Sequence, residues 1–158
     1  MGKSGKKKPL AVTGESWTPV SLDLLRSAVF ASLSPHAVKL LMDMHAALGP
    51  NATGNGDISI AHKLMKPRGW SGRTTLLAAA KELESAGLIR QTRTGTRTDC
   101  ILWAITLYPL DCDVKRLRLD AGAGNFSASD WRVKAPDRVK PPTADQPVSW
   151  VRPRKRQS

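Results

Sequence analysis

The side chains with the most to offer chemically are basic ones that recur at short intervals between residues 63 and 97. A lysine ammonium group binds phosphate oxygens. An arginine guanidinium can bond guanine O6 and N7 together, which discriminates that base by about 1 to 3 kcal/mol. Nearby hydroxyl groups add further hydrogen-bond donors. The candidate contacts to phosphates and bases are Lys63, Lys66, Arg68, Ser71, Arg73, Thr74, Lys81, Arg93 and Arg97.

The residues that enzymes and metal sites need do not occur in a recognisable arrangement. The three histidines, the two cysteines and the single tyrosine, Tyr108, match no catalytic or metal-ligand spacing. No nucleophile motif, dinucleotide fingerprint or phosphate-loop pattern is present either. We therefore expect a protein that is not an enzyme and that needs no metal and no cofactor.

A helix over residues 72 to 86 is predicted to position many of the basic candidates. Ser71 can cap its start, and Gly87 is the residue type that ends helices in the left-handed conformation. Apolar residues at spacings of three and four indicate one buried face. These are Leu76, Ala79, Ala80, Leu83 and Ala86 or Gly87. The opposite face carries Arg73, Thr74, Leu77, Ala78 and Lys81.

The flanking segments turn this helix into part of a larger unit. Residues 60 to 66 indicate a short helix, which Pro67 and Gly69 then break. Residues 88 to 94 and 98 to 107 are rich in β-branched and apolar residues, so they predict a hairpin. Within it Trp103 is more typical of a core residue than of a ligand contact. A helix, a turn, a second helix and a hairpin make up a winged helix, which is an α+β fold.

Further elements are predicted upstream of this unit. Ser34 and Pro35 suit the start of a first core helix, which ends at Gly49. Residues 57 to 59 can add a short strand to the hairpin. Residues 20 to 33 predict an additional N-terminal helix, which packs on the core or supplies a dimer surface. Its apolar positions are Leu22, Leu25, Val29, Phe30 and Leu33.

These segments also carry a family resemblance. Residues 74 to 89 resemble the recognition helix and following strand of bacterial winged helix-turn-helix DNA-binding proteins. A wider resemblance covers residues 22 to 111, including Leu-Met-Lys-Pro-Arg-Gly-Trp and Leu-Trp-Ala-Ile-Thr-Leu-Tyr-Pro-Leu-Asp. Over that range the chain is similar to small uncharacterised winged-helix proteins of bacterial phages, plasmids and integrated elements.

The resemblance implies that the second helix enters the major groove of double-stranded DNA while the wing touches backbone or minor groove. Arg68 and Arg73 would then contact bases, and Arg97 would enter the minor groove. The phosphate contacts would be made by Lys63, Lys66 and Lys81. We expect a sequence-reading DNA-binding protein of a mobile element, in the bacterial cytosol at the nucleoid. It would act as a transcription regulator or as an accessory factor in replication or maintenance, with a homodimer left open.

One departure from that pattern keeps an alternative open. At Leu77 and Ala78 many winged-helix regulators carry residues that hydrogen-bond to bases, whereas these two can only touch thymine methyl groups. The alternative is a winged-helix module that binds a host or phage protein. A single-strand binding role would need more exposed aromatic residues than this core offers.

The charge distribution suggests a core with basic extensions. The formal net charge is +12, which favours binding to a polyanion. Residues 1 to 14 carry +4 and residues 113 to 158 carry +6, against +3 for residues 35 to 112. We expect a disordered basic arm over residues 1 to 16 and a winged-helix domain over residues 17 to 112. A mostly disordered, proline-rich basic tail would follow over residues 113 to 158.

Two features remain to be placed. The predicted tail contains Trp131 and Trp150, which are expected to dock either on a partner or on the chain's own domain. No apolar run approaches the roughly 20 residues of a membrane span, so a soluble intracellular protein with reduced cysteines is expected.

Overall fold

The structure, a computed structural model, describes residues 20–49, 52–127 and 130–133. Within these residues the fold is α+β, with helices arranged around a two-stranded antiparallel hairpin. None of the helices in this part of the chain has both the length and the apolar composition to cross a membrane. The elements are α1 (Leu22–Leu25), α2 (Ala28–Ser32), α3 (Pro35–His45), α4 (His62–Met65), a 3-10 turn (Lys66–Arg68), α5 (Arg73–Ser85), β1 (Ile89–Arg93), β2 (Leu102–Ile105) and α6 (Asp130–Val133).

Helix α3 begins as predicted. The Ser34 hydroxyl accepts the backbone N–H of Ala37 at 3.2 Å, and Pro35 occupies the first turn, where its missing N–H costs nothing. The helix ends at His45, before the predicted stop at Gly49. Its apolar stripe is buried at Ala37, Leu40, Leu41 and Met44.

The predicted N-terminal helix over residues 20 to 33 is wrong as a single element, because Ser27 divides it into α1 and α2. The Ser27 hydroxyl donates to the carbonyl of Leu24 at 2.7 Å and accepts the N–H of Phe30 at 3.1 Å. It thus closes one helix and caps the next. The division also changes which residues are buried. Leu24 is fully buried, whereas Leu22, which was predicted on the apolar face, is 61% exposed.

Helix α5 matches its predicted length to within one residue at each end. Its N-cap is Gly72, which has no side chain to donate or accept, so the prediction that Ser71 caps the helix is wrong. Gly87 adopts φ +73° after the last turn, as predicted, and the N–H of Leu88 bonds the carbonyl of Leu83 at 3.0 Å. The predicted buried stripe is confirmed at Leu76, Ala79, Ala80 and Leu83.

The hairpin is antiparallel, with Ile89 opposite Ile105 and an irregularity on β1 between Gln91 and Arg93. Its strands are shorter than the predicted runs, so a hairpin loop of residues 94–101 connects them. The predicted third strand is reduced to one bridge. There Ile58 and Trp103 exchange two backbone hydrogen bonds, at 3.2 and 2.8 Å.

The core lies between α3, α5 and the hairpin. Both faces of β2 are buried, and Trp103, only 6% exposed, has the predicted core role. Helices α3 and α5 are also joined by a polar contact. The Glu82 carboxylate accepts both the backbone N–H and the hydroxyl of Ser34, each at 2.6 Å. This contact fixes the start of α3 against the C-terminal half of α5.

A fully buried asparagine, Asn55, attaches the loop before α4 to the end of β2. Its Oδ1 accepts the N–H of Ile105 at 2.8 Å, and its Nδ2 donates to the carbonyl of Ile105 at 3.0 Å. The same amino group lies within 3.1 Å of the carbonyls of Tyr108 and Pro109. Because nearly all of its hydrogen-bonding capacity is used inside the protein, Asn55 is a structural residue.

The chain remains packed after residue 112, where the domain boundary was predicted. Leu117 and Ala123 are buried, and the Asp120 N–H bonds the carbonyl of Thr92 on β1 at 2.9 Å. Trp131 is 4% exposed and belongs to the main core, so of the two predicted destinations it docks on its own domain. The predicted arm over residues 1 to 16, the tail beyond residue 133 and Trp150 lie outside the described residues.

Candidate nucleic-acid interface

Helix α5 has an exposed face, which we define by the five residues that were predicted to lie on it. They are Arg73, Thr74, Leu77, Ala78 and Lys81, and all five are exposed. Side chains four residues apart are neighbours on a helix, so Arg73, Leu77 and Lys81 form one row along this face. The row places a cation on each side of an apolar side chain.

The start of α5 is electropositive. The N-cap Gly72 provides no side-chain cap, and the first turn contains no acidic residue. The unpaired N–H groups of a helix start and its dipole favour an anion there, and Arg73 adds a full positive charge. Ser71, which does not cap the helix, is exposed immediately before it. This end of α5 is therefore suited to a phosphate oxygen.

The segment leading into α5 exposes two of the predicted lysines, whereas the side chain of its arginine is bonded within the protein. Lys63 on α4 and Lys66 on the 3-10 turn are exposed. Arg68, at the end of that turn, donates from Nε to Asp43 Oδ1 at 3.1 Å. Its carbonyl accepts a hydrogen bond from Lys39 Nζ at 2.8 Å. Arg68 is thus fixed beside α3.

Asp43 is the centre of the contact that holds this turn. Its carboxylate also accepts from Lys39 Nζ and from Trp70 Nε1, both at 2.7 Å. Partial burial on its own would raise the pKa of Asp43, but the hydrogen bonds from Lys39, Trp70 and Arg68 outweigh it and lower the pKa. We call these four residues the Asp43 cluster. It attaches the turn before α5 to α3.

Trp70, which lies shortly before α5, has a structural role. It is 3% exposed, and Lys39 Nζ lies 5.2 Å from the centre of its ring. The carbonyl of Trp70 accepts a hydrogen bond from His62 Nε2 at 3.1 Å, which closes the segment between α4 and α5. One part of the cluster has a local signal in the sequence, since Lys39 and Asp43 are four residues apart on one helix.

Of the two predicted hairpin arginines, one is exposed and the other is hydrogen-bonded within the protein. Arg97 is exposed in the hairpin loop, and among the described residues it has no ion-pair partner. Arg93 is half-buried, and all three of its guanidinium nitrogens are hydrogen-bonded within the protein. Nε donates to the carbonyl of Cys100 at 3.0 Å, Nη1 to the carbonyl of Leu117 at 2.7 Å, and Nη2 to Cys100 Sγ at 3.3 Å. The geometry favours a structural role for Arg93.

Burial changes the pKa of two of the remaining titratable residues, His45 and Cys112. In residues 20–49, 52–127 and 130–133 no three His, Cys, Asp or Glu side chains are grouped to hold a metal ion. Burial lowers the pKa of His45, although its Nδ1–H bond to the carbonyl of Leu41, 2.8 Å long, opposes that effect. Cys100 and Cys112 are free thiols, and burial raises the pKa of Cys112.

Comparison of the chain with protein-family models, with curated proteins and with solved structures gives no match.

Proposed function

We propose that this chain is a winged-helix protein that binds double-stranded DNA, with α5 in the major groove. The hairpin loop would lie on the adjacent backbone or minor groove through Arg97. One observation carries the proposal: residues 58 to 81 contain no acidic residue, and they place exposed basic side chains on α4, on the 3-10 turn and along the exposed face of α5. Those side chains belong to Lys63, Lys66, Arg73 and Lys81, whereas Arg68 is held by Asp43.

The shape of this region suits that role. An α-helix with its side chains is about 10 to 12 Å wide, and the major groove of B-DNA is about 12 Å wide. Helix α5 has 13 residues, and one side of it is buried against the core. In a helix-turn-helix the first helix crosses the backbone and the second enters the groove. Helices α4 and α5 have that order, and the Asp43 cluster fixes the turn between them.

The acidic residues of α5 do not oppose an approaching phosphate at its start. Glu82 bonds Ser34 on the inner side, and Glu84 lies in the last turn. Arg73, the cation of the first turn, is therefore available to DNA. As the chain's resemblance to mobile-element proteins suggests, we propose a regulator of transcription or an accessory factor in replication or maintenance. It would act in the bacterial cytosol, at the nucleoid.

The decisive experiment is a selection from random duplex DNA with the full chain, followed by a salt titration of the enriched sequence. We expect one enriched motif, with affinity that falls as salt rises because phosphate contacts release counterions. Arg73→Ala should reduce the preference for that motif over random duplex. Arg26→Ala removes the same charge from an exposed position after α1 and is the matched control. An equal loss on motif and random duplex would contradict base reading by Arg73.

A second candidate function follows from the exposed leucines of the same region. Leu77 is 48% exposed and Leu64 is 58% exposed, and apolar side chains at a surface also suit a protein partner. In that case the chain would be an interaction module for a host or phage protein. Weak, sequence-blind DNA binding together with a stoichiometric protein complex that Leu64→Ser disrupts would favour this function.

A further inference from the structure

We propose that Leu77 and Ala78 make α5 a reader of the C5 methyl group of pyrimidine bases. This inference rests on the proposed DNA binding by α5 and names the chemical group that the helix recognises. It concerns the middle of the exposed face, which lies between Arg73, the proposed base contact, and Lys81, the proposed phosphate contact.

The position of Leu77 distinguishes it from the other exposed leucines. The core contacts of α5 are made by residues such as Leu76 and Leu83, which are buried, so Leu77 contributes little to folding. It lies one helical turn from Arg73 on one side and one turn from Lys81 on the other. When Arg73 enters the groove at one end of this face and Lys81 meets a phosphate at the other, the residue between them lies over the base edges.

The chemistry of the groove then selects the ligand. The C5 methyl of thymine is the apolar group that the major-groove edges of the base pairs offer. Leucine and alanine side chains cannot pair with the donors and acceptors of the other edges, and covering those groups without a partner is unfavourable. A methyl group packed on Leu77 or Ala78 instead leaves water. Burial of one methyl corresponds to about a fourfold gain in affinity.

Two sources carry this methyl group, thymine and 5-methylcytosine. The test therefore uses two pairs of synthetic duplexes and the full chain. In the first pair an alternating adenine–thymine duplex is compared with the same duplex containing uracil, which lacks only the methyl. In the second pair a guanine–cytosine duplex is compared with its 5-methylcytosine form. Affinities are measured by fluorescence anisotropy at one low salt concentration.

We expect the thymine duplex to bind more tightly than the uracil duplex by about fourfold for each methyl contacted. Leu77→Ala should move that ratio toward one, because it shortens the side chain that packs on the methyl group. Leu22→Ala is the matched control, because Leu22 is 61% exposed and lies on α1, which contributes no residue to the proposed interface. Thermal unfolding of both variants shows whether each remains folded.

The outcomes separate this inference from the proposed function. Tight, equal binding of the thymine and uracil duplexes, with equal binding of the two cytosine duplexes, would overturn methyl reading and leave DNA binding intact. A preference for thymine that persists in Leu77→Ala would overturn the assignment to Leu77. A preference in only one pair supports the inference and identifies that pair's methylated base as the source. Failure to bind any duplex would overturn both the proposed function and the inference.

Discussion

The exposed face of α5 and the hairpin both carry arginines, but the two regions use them differently. Arg73 and Lys81 on α5 are exposed and make no ion pair within the described residues. On the hairpin Arg93 is fully hydrogen-bonded inside the protein, and Arg90 Nη1 donates to the carbonyl of Asn125 at 3.0 Å. Only Arg97, at the tip, resembles the α5 cations. A count of basic residues therefore overstates the free hydrogen-bond donors that the hairpin offers.

The two regions are also attached to the molecule by different forces. One side of α5 is held by apolar packing, reinforced by Glu82 and the Asp43 cluster. The hairpin is packed in the core as well, and it makes more polar contacts, chiefly those of Asn55, Arg93 and Thr92, whose hydroxyl donates to the carbonyl of Gly56 at 2.8 Å. Polar contacts need defined geometry, so single substitutions should disturb the hairpin more than α5.

The largest effect is expected for Asn55→Ala. It leaves the buried N–H of Ile105 and nearby carbonyls without a partner, at about 1 to 3 kcal/mol for each unpaired group. We expect the free energy of unfolding to fall by about 3 kcal/mol or more, as measured by chemical denaturation. Asn125→Ala is the control, because Arg90 bonds the backbone carbonyl there and alanine retains it. Similar losses in the two variants would refute the role given to Asn55.

Arg93 and Arg97 give the sharpest test of how the hairpin uses charge. Arg93→Ala removes three hydrogen bonds from a charged group, so the free energy of unfolding should fall by about 2 kcal/mol. Arg97→Ala should leave stability unchanged and reduce the salt dependence of DNA binding by about one phosphate contact. Denaturation and salt titration of both variants measure these effects. The comparison fails if Arg97→Ala destabilises the fold or if Arg93→Ala leaves stability unchanged.

The contrast between these arginines shows which contacts can be predicted from the sequence and which cannot. The apolar stripe of α5 and the Ser34 cap follow from spacings within one helix, so both were predictable. The contacts of Asn55 reach β2, 50 residues away, and Trp70 meets Asp43 across 27 residues. No local pattern encodes such pairs. Arg93 and Arg97 were indistinguishable for the same reason.

Two predictions about helix boundaries were wrong, because at each place the sequence fits more than one capping arrangement. Ser27 could lie inside one helix, or it could end one helix and cap the next. The spacing of the apolar residues alone does not distinguish these two arrangements. At the start of α5, Ser71 and Gly72 are both acceptable caps by residue type. The exposed residues of the candidate site were nevertheless predicted correctly on α5, because the buried stripe fixes which face remains outside.

Asp43 should make the attachment of the α5 turn dependent on pH. Its pKa is lowered in the folded protein, so its contribution is complete above the unfolded value of about 3.9 and is lost as the pH falls below it. Asp43→Asn should be less stable at neutral pH by about 1 kcal/mol, because hydrogen bonds to the charged group are weakened. The difference should shrink in acid. Denaturation of both proteins across this pH range tests it, and a difference that grows on acidification would contradict the sign.

The smallest effect concerns the two serines that precede the long helices. Ser34→Ala removes the hydroxyl that caps α3 and bonds Glu82, so it should cost about 1 kcal/mol of stability. Ser71→Ala should change stability by less than about 0.5 kcal/mol, because the helix begins after Gly72 and the Ser71 side chain does not cap it. Thermal and chemical denaturation measure both variants. If Ser71→Ala were as costly as Ser34→Ala, Ser71 would be the functional cap and the first-turn N–H groups of α5 would not be available to a phosphate. If it is neutral for stability yet weakens DNA binding, Ser71 is part of the interface, as its place beside Arg73 indicates.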